Sequence, residues 1–309
     1  MELRDIQYFK AVAQHCNIGR AAEALNLSPT ALSKSLRRLE RALGAKLFKR
    51  VSRGVELTVV GAALAARADI LQVTLDDLTR EAADLTSGSI GSIRAGVTPG
   101  LPEITLAHAY TALLAEATNI ALDVYVLAGQ EMQTALRRGE VDLIISTPPD
   151  GRIAPQGMEG VELFREQYVV GAASSHPLAR RKRVTMEDLV DETWTGNRGG
   201  FAWSAVCDLA ERKGLRPPKQ LLQANSWDIL FRTVASSRLL SISSHTALMD
   251  AQRQFSLVAL PVEGLKLERR VVVYHRKDGY LPPAVIRLIE ILKAQGRDRL
   301  ARRVPKPVR

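Results

Sequence analysis

The sequence predicts an α/β protein that begins with a small winged helix-turn-helix domain, continues through one long helix and ends in a larger domain built on a parallel sheet. Three observations support this fold class. Residues 17–40, NIGRAAEALNLSPTALSKSLRRLE, resemble two short capped helices about a turn. Apolar residues between positions 64 and 85 recur at spacings of four and three, and beyond position 90 strand patterns alternate with helical patterns.

Length, charge and cysteine use limit the class of protein. A chain of 309 residues with 46% hydrophobic content is long enough for two or more domains. The net charge of +10 is concentrated at the ends, since residues 1–61 hold 11 Lys and Arg against 5 Asp and Glu. A basic amino-terminal domain predicts a polyanionic partner. We expect the basic carboxyl-terminal segment, GRDRLARRVPKPVR, to be a mobile solvated tail rather than a second binding arm.

No long apolar run and no secretory leader occur in the sequence. About 18 apolar residues are needed to span a bilayer, so we expect a cytoplasmic protein with no membrane partner. Cys16 and Cys207 match neither a metal-ligand nor a disulfide spacing, and we interpret both as ordinary buried residues rather than a redox sensor. We expect no metal and no cofactor.

Three predicted helices open the chain. The first runs from Leu3 to Val12 and would bury Leu3, Ile6, Phe9 and Ala13. Asn17 can cap the second helix, and Ser28 can cap the third, with Pro29 at its first position. The third helix would end at Gly44 and bury Ala31, Leu32, Leu36 and Leu39.

The outward face of this third helix is the candidate DNA reader. A helix in the major groove needs short polar side chains near its amino end for base edges and Lys or Arg along its flanks for phosphates. The segment KLFKRVSRGVELT then predicts two strands about a turn at Arg53-Gly54, a wing whose bases include Lys49, Arg50 and Arg53. The candidate DNA-binding residues are Ser28, Pro29, Thr30, Ser33, Lys34, Arg37, Arg38, Arg50 and Arg53. A solvated charged face is the alternative interpretation.

A helix without proline follows from Thr58 to Leu85. Its heptad seam consists of Leu64, Ala68, Leu71, Leu75, Leu78, Ala82 and Leu85. A seam this regular favours packing on a partner helix, and packing on the protein's own core is the alternative. LTSGSIGS at its end predicts a hinge.

Polar groups follow many of the predicted strands in the α/β region. In open α/β sheets, ligands bind in the crevice at the carboxyl ends of strands. The turn at Thr98, Pro99 and Gly100 leads into a helix whose amino end offers free N–H groups to an anion. The full candidate set is Thr98, Pro99, Gly100, Gln130, Ser146, Thr195, Asn197 and Ser226. Helix capping is the alternative role for each, and we expect core packing for Trp194, Trp203 and Trp227.

Motifs for catalysis are scarce. The sequence contains no HExxH, GxSxG or P-loop, and Ser175-His176 are adjacent in what we interpret as a loop. Besides a protein that reads specific DNA and binds a small molecule, two functions remain as alternatives. One is an enzyme of the α/β cleft tethered by a basic domain, and the other is a nucleoid-type protein that binds DNA without sequence preference. The cleft hydroxyls, amides and helix ends indicate an anionic or carboxylate-bearing small molecule.

One stretch carries a family resemblance. AAEALNLSPTALSKSLRRLERALGAKLFKRVSRGVELTVVG contains LE-x-x-LG-x-x-LF-x-R from Leu39 to Arg50, followed by Leu57-Thr58 and Gly61. With GEVDLII and SSHPLA farther on, the chain resembles the LysR-type transcriptional regulators over essentially its whole length. By this resemblance Thr98, Gln130, Thr195 and Ser226 match effector positions.

The resemblance implies a domain plan and a function. Residues 1–58 would be a winged helix-turn-helix, 59–88 a dimerising linker helix and hinge, and 89–309 a periplasmic-binding-protein-like effector domain. Its lobe I would cover about 91–161 and 268–296, and its lobe II about 162–267. The expected function is sequence-specific transcription regulation modulated by a small-molecule effector. The expected partners are double-stranded DNA, that effector, RNA polymerase and further copies of the chain, joined through residues 58–85 as a dimer and then a tetramer.

Overall fold

A computed structural model of the chain describes residues 1–87, 91–99, 101, 103–117, 119–127, 129–148, 154–197 and 200–301. The backbone divides into two units between Ala83 and Asp84. The elements of the amino-terminal part are α1 (Leu3–His15), α2 (Ile18–Ala24), α3 (Pro29–Leu43), β1 (Phe48–Val51), β2 (Gly54–Leu57) and α4 (Val59–Ser87). The predicted winged helix-turn-helix and long helix are therefore confirmed.

Local capping sets the helix boundaries as the sequence predicts. The Asn17 side chain accepts a hydrogen bond from the Arg20 N–H at 3.1 Å, and the Ser28 hydroxyl accepts one from the Ala31 N–H at 3.2 Å. Helix α3 ends at Gly44, whose N–H donates to the Arg41 carbonyl. The helices are thus fixed by bonds within four residues, which is why their positions are readable from the sequence.

The buried face of the helices differs from the predicted one. Leu3 and Ala31 are exposed, whereas Asp5 and Ser35 are buried. The prediction was wrong at these positions because a polar contact between α1 and α3 replaces part of the expected apolar stripe. Phe9, Val12, Leu32, Leu36 and Leu39 pack together in the core as ordinary apolar residues do.

The wing is anchored by close backbone approaches. Gly54 has φ +140°, and a Cβ on it would lie 2.2 Å from the carbonyl oxygen of Cys16. Thr58 donates its hydroxyl to the Lys46 carbonyl at 2.6 Å and accepts the Gly61 N–H at 3.0 Å, which caps α4. A Cβ on Gly61 would lie 2.1 Å from the Leu47 carbonyl oxygen. The LT-x-x-G pattern therefore joins the hairpin to the start of α4.

Much of the heptad seam of helix α4 is exposed to solvent. Ala68 is buried, but Leu71, Leu78 and Leu85 are exposed, with Leu85 at 80%. The Lys10 ammonium forms an ion pair with Asp69 at 2.9 Å, which links α1 to the first half of α4. Past that contact, Leu71, Leu78 and Leu85 stay exposed.

The second unit contains a mixed sheet. Its elements are β3 (Ser92–Val97), α5 (Glu103–Glu116), β4 (Ala121–Val126), α6 (Gly129–Arg137), β5 (Leu143–Ser146), β6 (Met158–Ala173), a 3₁₀ turn (Pro177–Arg180), α7 (Met186–Leu189), β7 (Thr193–Gly196), α8 (Phe201–Arg212), β8 (Lys219–Gln223), α9 (Trp227–Ala235), β9 (Leu240–Ser244), α10 (His245–Ala251), β10 (Leu257–Ala259), β11 (Leu267–Arg276) and α11 (Pro283–Ala301). The strand order is β4-β3-β5-β11-β6-β9-β7-β8, and β10 pairs with β6.

Strand direction divides this sheet into two parallel parts with an antiparallel middle. β3 is parallel to β4 and β5, and β7 is parallel to β8 and β9. β6 and β11 are antiparallel to each other and to their outer neighbours. The parallel pairing predicted from alternating strands and helices is therefore confirmed within each part, and the antiparallel middle was not predicted from the sequence.

Separate cores show that the two parts are two lobes. One lobe packs Phe164 and Val271 with α5 and α11, while the other packs Val170 and Trp194 with α8. β6 and β11 contribute to both cores, so these two strands connect the lobes. The residue boundaries expected for domains and lobes stay predictions.

Three other expectations have mixed outcomes. Trp194, Trp203 and Trp227 pack in the lobe cores as predicted. Cys16 is exposed, so its predicted burial was wrong, and Cys207 is half-buried. Helix α11 continues to Ala301, so the expected tail is partly helical, and its remainder lies outside the described residues. Within the described ranges, no helix is long and apolar enough to cross a membrane.

Candidate nucleic-acid interface and ligand cleft

Helix α3 presents the predicted reading face. Thr30, Lys34 and Arg37 are exposed, and Ser33 is half-buried beside them. Ser28 and Pro29 are exposed at the amino end, although the Ser28 hydroxyl is engaged as the helix cap. The arrangement offers short polar groups near the start of α3 and cations farther along it, which is the distribution that major-groove reading needs.

Arg38 has a structural bond that the sequence did not predict. Its guanidinium donates to the fully buried Asp5 carboxylate, through Nε to both oxygens at 3.2 Å and through a terminal nitrogen to Oδ1. The Ser35 hydroxyl donates to the same oxygen at 2.6 Å. Burial raises the pKa of Asp5, but the bonds from Arg38, Ser35 and the Glu2 N–H outweigh it and hold the pKa at about 2. Arg38 thus fastens α3 to α1, and its contact with DNA stays a prediction.

A basic groove of about 730 Å³ runs along the second half of α3. Lys34, Arg37, Arg41 and Lys46 line it together with Glu40. Glu40 accepts the Lys46 ammonium at 2.8 Å and the Leu47 N–H at 2.9 Å. Burial raises the Glu40 pKa, yet these bonds lower it overall. Sequence reasoning missed Arg41 and Lys46, although the spacing of four from Arg37 to Arg41 could have identified the former.

The hairpin of β1 and β2 supplies the predicted wing. Arg50 lies exposed on β1, and Arg53 lies exposed in the turn. The Lys49 ammonium forms an ion pair with Glu56 on the facing strand at 2.8 Å. Arg50 and Arg53 are therefore freer than Lys49 to meet a phosphate.

The strand register of the second unit defines a cleft. The last residue of β5, Ser146, lies opposite Val272 of β11, and the last residue of β9, Ser244, lies opposite Tyr168 of β6. β5 and β9 belong to opposite lobes and run toward each other alongside the connecting strands. Their carboxyl ends therefore lie on either side of the middle of β6 and β11. Ligands of α/β sheets bind at such strand ends.

Three predicted ligand residues present buried polar atoms without partners. Among the described residues, no hydrogen-bond partner is found for the hydroxyl of Thr98, the hydroxyl of Thr195 or the side-chain carbonyl of Asn197. Thr98 follows β3, where its N–H donates to the Ile145 carbonyl at 3.1 Å, and Thr195 lies on β7. Since buried polar groups are nearly always paired, these unpaired atoms keep the three residues as candidates for ligand contact.

The other predicted ligand residues have simpler environments. The Ser226 hydroxyl caps α9 by accepting the Ile229 N–H at 3.4 Å, which fits the capping alternative. Gln130 is exposed in the first turn of α6, Ser146 is buried on β5, and Pro99 is half-buried. Gly100 lies outside the described residues. Thr98, Thr195 and Asn197 thus share an unpaired buried atom, which the other described ligand candidates do not.

Two further side chains bear on the chemistry. His176 is buried and its Nδ1 accepts the Leu178 N–H at 3.2 Å, so it caps the 3₁₀ turn. This agrees with the loop interpretation of Ser175-His176. Arg269, on β11 in the middle of the cleft, was not singled out from the sequence because it lies in a strand rich in charge. Among the described residues, no cluster of metal-ligating side chains occurs.

Comparison with known proteins agrees with this geometry. Residues 3–62 match the family model described as bacterial regulatory helix-turn-helix protein, lysR family, and residues 86–297 match the model described as LysR substrate binding domain. The transcriptional regulator GbpR of Azospirillum brasilense is 26% identical over 309 residues, covering 99% of this chain and 90% of that protein.

Two solved structures share the fold. A variant of full-length OxyR from Pseudomonas aeruginosa has TM-score 0.66 at 22% identity, with 95% of each chain covered. Full-length CbnR complexed with its target DNA has TM-score 0.62 at 20% identity, covering 95% of this chain and 99% of that one.

Proposed function

Because the chain belongs to the LysR family of transcriptional regulators, which bind DNA and are not enzymes, we propose that α3 reads base edges in the major groove while the wing contacts the backbone. Thr30 and Ser33 are the proposed readers, with Ser28 and Pro29 setting the amino end of the helix. Lys34 and Arg37 contact phosphates, as do Arg50 and Arg53 in the wing. Family membership argues against both alternatives, the tethered enzyme and the nucleoid-type protein.

The exposed cations of the first unit carry this proposal. Lys34 and Arg37 are exposed on α3 and line one groove with Arg41, and each phosphate contact of this kind releases counterions from DNA. Arg38 is tied to Asp5, so its contribution is to hold the angle between α3 and α1. The positioning cations and the reading hydroxyls are thus on separate side chains and can be tested separately.

The second unit binds a small-molecule effector, as the LysR substrate binding domain does. We propose that the effector lies in the cleft between the lobes, near Thr98, Thr195 and Asn197, and that it is anionic. The unpaired hydroxyls can donate to an anion, and the amino end of a helix favours negative charge. Pro99, Gly100, Gln130, Ser146 and Ser226 complete the proposed lining. Closure of the lobes on the effector would favour one arrangement of the oligomer.

The exposed leucines of the α4 seam support a dimer through residues 58–85. Two copies would then place two α3 helices on pseudo-palindromic half-sites about 34 Å or multiples of it apart. Assembly to a tetramer, contact with RNA polymerase and a cytoplasmic location are further parts of the proposal. The domain limits 1–58, 59–88 and 89–309 follow the same plan.

The proposal is tested by separating reading from charge. A duplex is first selected from a random pool by the full-length protein, and fluorescence anisotropy then compares it with a scrambled duplex. Thr30→Ala and Ser33→Ala should each lower the preference for the selected duplex by about 5- to 100-fold, as expected for a lost base contact. Arg53→Ala should weaken binding to both duplexes alike and reduce the salt slope by about one. Equal losses on both duplexes from Thr30→Ala and Ser33→Ala would refute the proposed readout.

A further inference from the structure

Arg269 lies where the two lobes meet. Its register partner on β6 is Glu166, which is close to the midpoint between Ser146 at the end of β5 and Ser244 at the end of β9. A residue at this position of β11 lies along the strand between the ends of β5 and β9. Arg269 therefore lies between the two lobes, where the ligand cleft is proposed.

The guanidinium of Arg269 contacts one element from each lobe. A terminal nitrogen donates to the carbonyl of Thr147, which follows β5, and the guanidinium carbon lies 4.7 Å from the centre of the Phe201 ring at the start of α8. It also lies near the Tyr168 hydroxyl, whose pKa is raised by burial and partly lowered again by this cation. One side chain thus links both lobes and the connecting strands.

This cation has no ionic partner within the described part of the chain. Its Nε is buried and donates to no acceptor. Glu166, the carboxylate opposite it, is 4% exposed and accepts the Thr246 N–H at 3.0 Å instead. A carbonyl and an aromatic ring only partly replace the hydration of a guanidinium, so the buried Nε remains available to an acceptor from a ligand.

Carboxylate chemistry fits such an acceptor. A guanidinium binds a planar carboxylate through two parallel N–H donors, and the buried Nε is such a donor. Near the same strand ends, the unpaired hydroxyls of Thr98 and Thr195 belong to opposite lobes and can donate to an oxygen of the same molecule. Phe201 beside the guanidinium offers an apolar face to the body of that molecule.

We infer that Arg269 binds the carboxylate of the effector and that its bond to Thr147 and its contact with Phe201 make lobe closure depend on that charge. The inference rests on the proposed effector cleft and names the chemical class of its ligand. A ligand oxygen at Nε would hold the guanidinium in place between Thr147 and Phe201. An uncharged molecule of the same shape would leave Nε unpaired.

Matched acid and amide pairs test this inference on the full-length protein. The probes are acetate, succinate and phenylacetate, each with its amide, at about 20 mM, where a ligand at ten times its Kd raises Tm by about 3 °C. All three Trp lie in the second unit, so Trp fluorescence follows the melting of that unit. At least one acid should raise Tm by about this amount, and its amide should not.

Variants of neighbouring arginines provide the control. R269Q should weaken binding of the active acid by about 10- to 100-fold, and R269K should fall between R269Q and the native protein because it keeps the charge and loses the fork. Arg270 pairs with Glu162 at 3.5 Å, so R270Q should bind the acid normally. If R269Q without ligand unfolds at a lower temperature than the native protein, the affinities of R269K and R270Q for the acid test the inference instead. R269K should then bind the acid more weakly than R270Q.

Three results would overturn the inference: no acid raises Tm, an amide acts as well as its acid, or R269Q and R269K bind the acid as the native protein does. Selected-duplex preference is measured on the same preparations. If that preference is intact while the acid effect is absent, only the role of Arg269 fails. If the preference is absent in the native protein as well, the proposed function fails.

Discussion

Replacing Asp5 with Asn should loosen the packing of α1 on α3. The carboxylate is fully buried and accepts hydrogen bonds from Arg38, from the Ser35 hydroxyl and from the Glu2 N–H. Its pKa falls from 3.8 to about 2, and by linkage this difference corresponds to about 2 kcal/mol of stability from the charged form. Asn keeps the size of the side chain and removes the charge, so we expect it to lose about that amount.

Amide hydrogen exchange read by mass spectrometry measures this loss within the first unit. A loss of about 2 kcal/mol makes exchange of the α1 and α3 amides about 30-fold faster, because about 1.36 kcal/mol is a factor of ten. Peptides from β3 to α11 should be unchanged. Glu56→Gln is the control, since it removes an exposed ion pair that contributes less than about 1 kcal/mol. Exchange of α1 and α3 that is no faster in Asp5→Asn than in Glu56→Gln would refute the reasoning.

Acid should erase the difference between the native protein and this variant. The folded-state pKa of Asp5 lies below the ordinary value of 3.8, so its stabilisation is complete above about pH 4 to 5 and is lost as pH falls toward about 2. The opening free energies of the two proteins should therefore differ by a constant amount near neutral pH and converge below pH 4. A difference that grows on acidification would contradict the sign of the shift.

Three further predictions concern the wing, the long helix and the groove. Gly54→Ala should destabilise the first unit by more than about 1 kcal/mol, because its Cβ meets the Cys16 carbonyl at a strained φ; unchanged hydrogen exchange in the wing would contradict it. Leu71→Glu with Leu78→Glu should reduce the mass found by light scattering to that of a monomer, and an unchanged mass would exclude α4 as the interface. Arg41→Ala should weaken binding to the selected and scrambled duplexes equally and lower the salt slope by about one. A loss of binding confined to the selected duplex would instead show that Arg41 contacts bases.

Local structure was the most predictable part of this chain. The caps at Asn17 and Ser28 and the stop at Gly44 form bonds within four residues, so the sequence alone indicates where α2 and α3 begin and where α3 ends. The alternation of strand and helical patterns beyond position 90 likewise indicated the α/β class of the second unit. The short helices α7 and α10 escaped notice, since helices of four and seven residues leave little periodic pattern.

Contacts between distant segments were not predictable. Asp5 is charged, and its burial depends largely on hydrogen bonds from Ser35 and Arg38, which are thirty and thirty-three residues away. The antiparallel middle of the sheet depends on the register of β6 with β11, which joins Tyr168 to Leu267. Arg269 lies between the two lobes as a consequence of that register. A pattern of single residues cannot show which of several charges on a strand faces a cleft.

The measurement that tests the central claim most directly is the binding preference of the full-length protein for DNA that it has itself selected. The selected pool should contain a pseudo-palindromic motif with half-sites one or more helical turns apart. Anisotropy near physiological salt should show binding at least about 1,000-fold tighter than to a scrambled duplex. A pool without any enriched motif, or equal and steeply salt-dependent binding to both duplexes, would mean that α3 contacts only phosphates and would contradict the account.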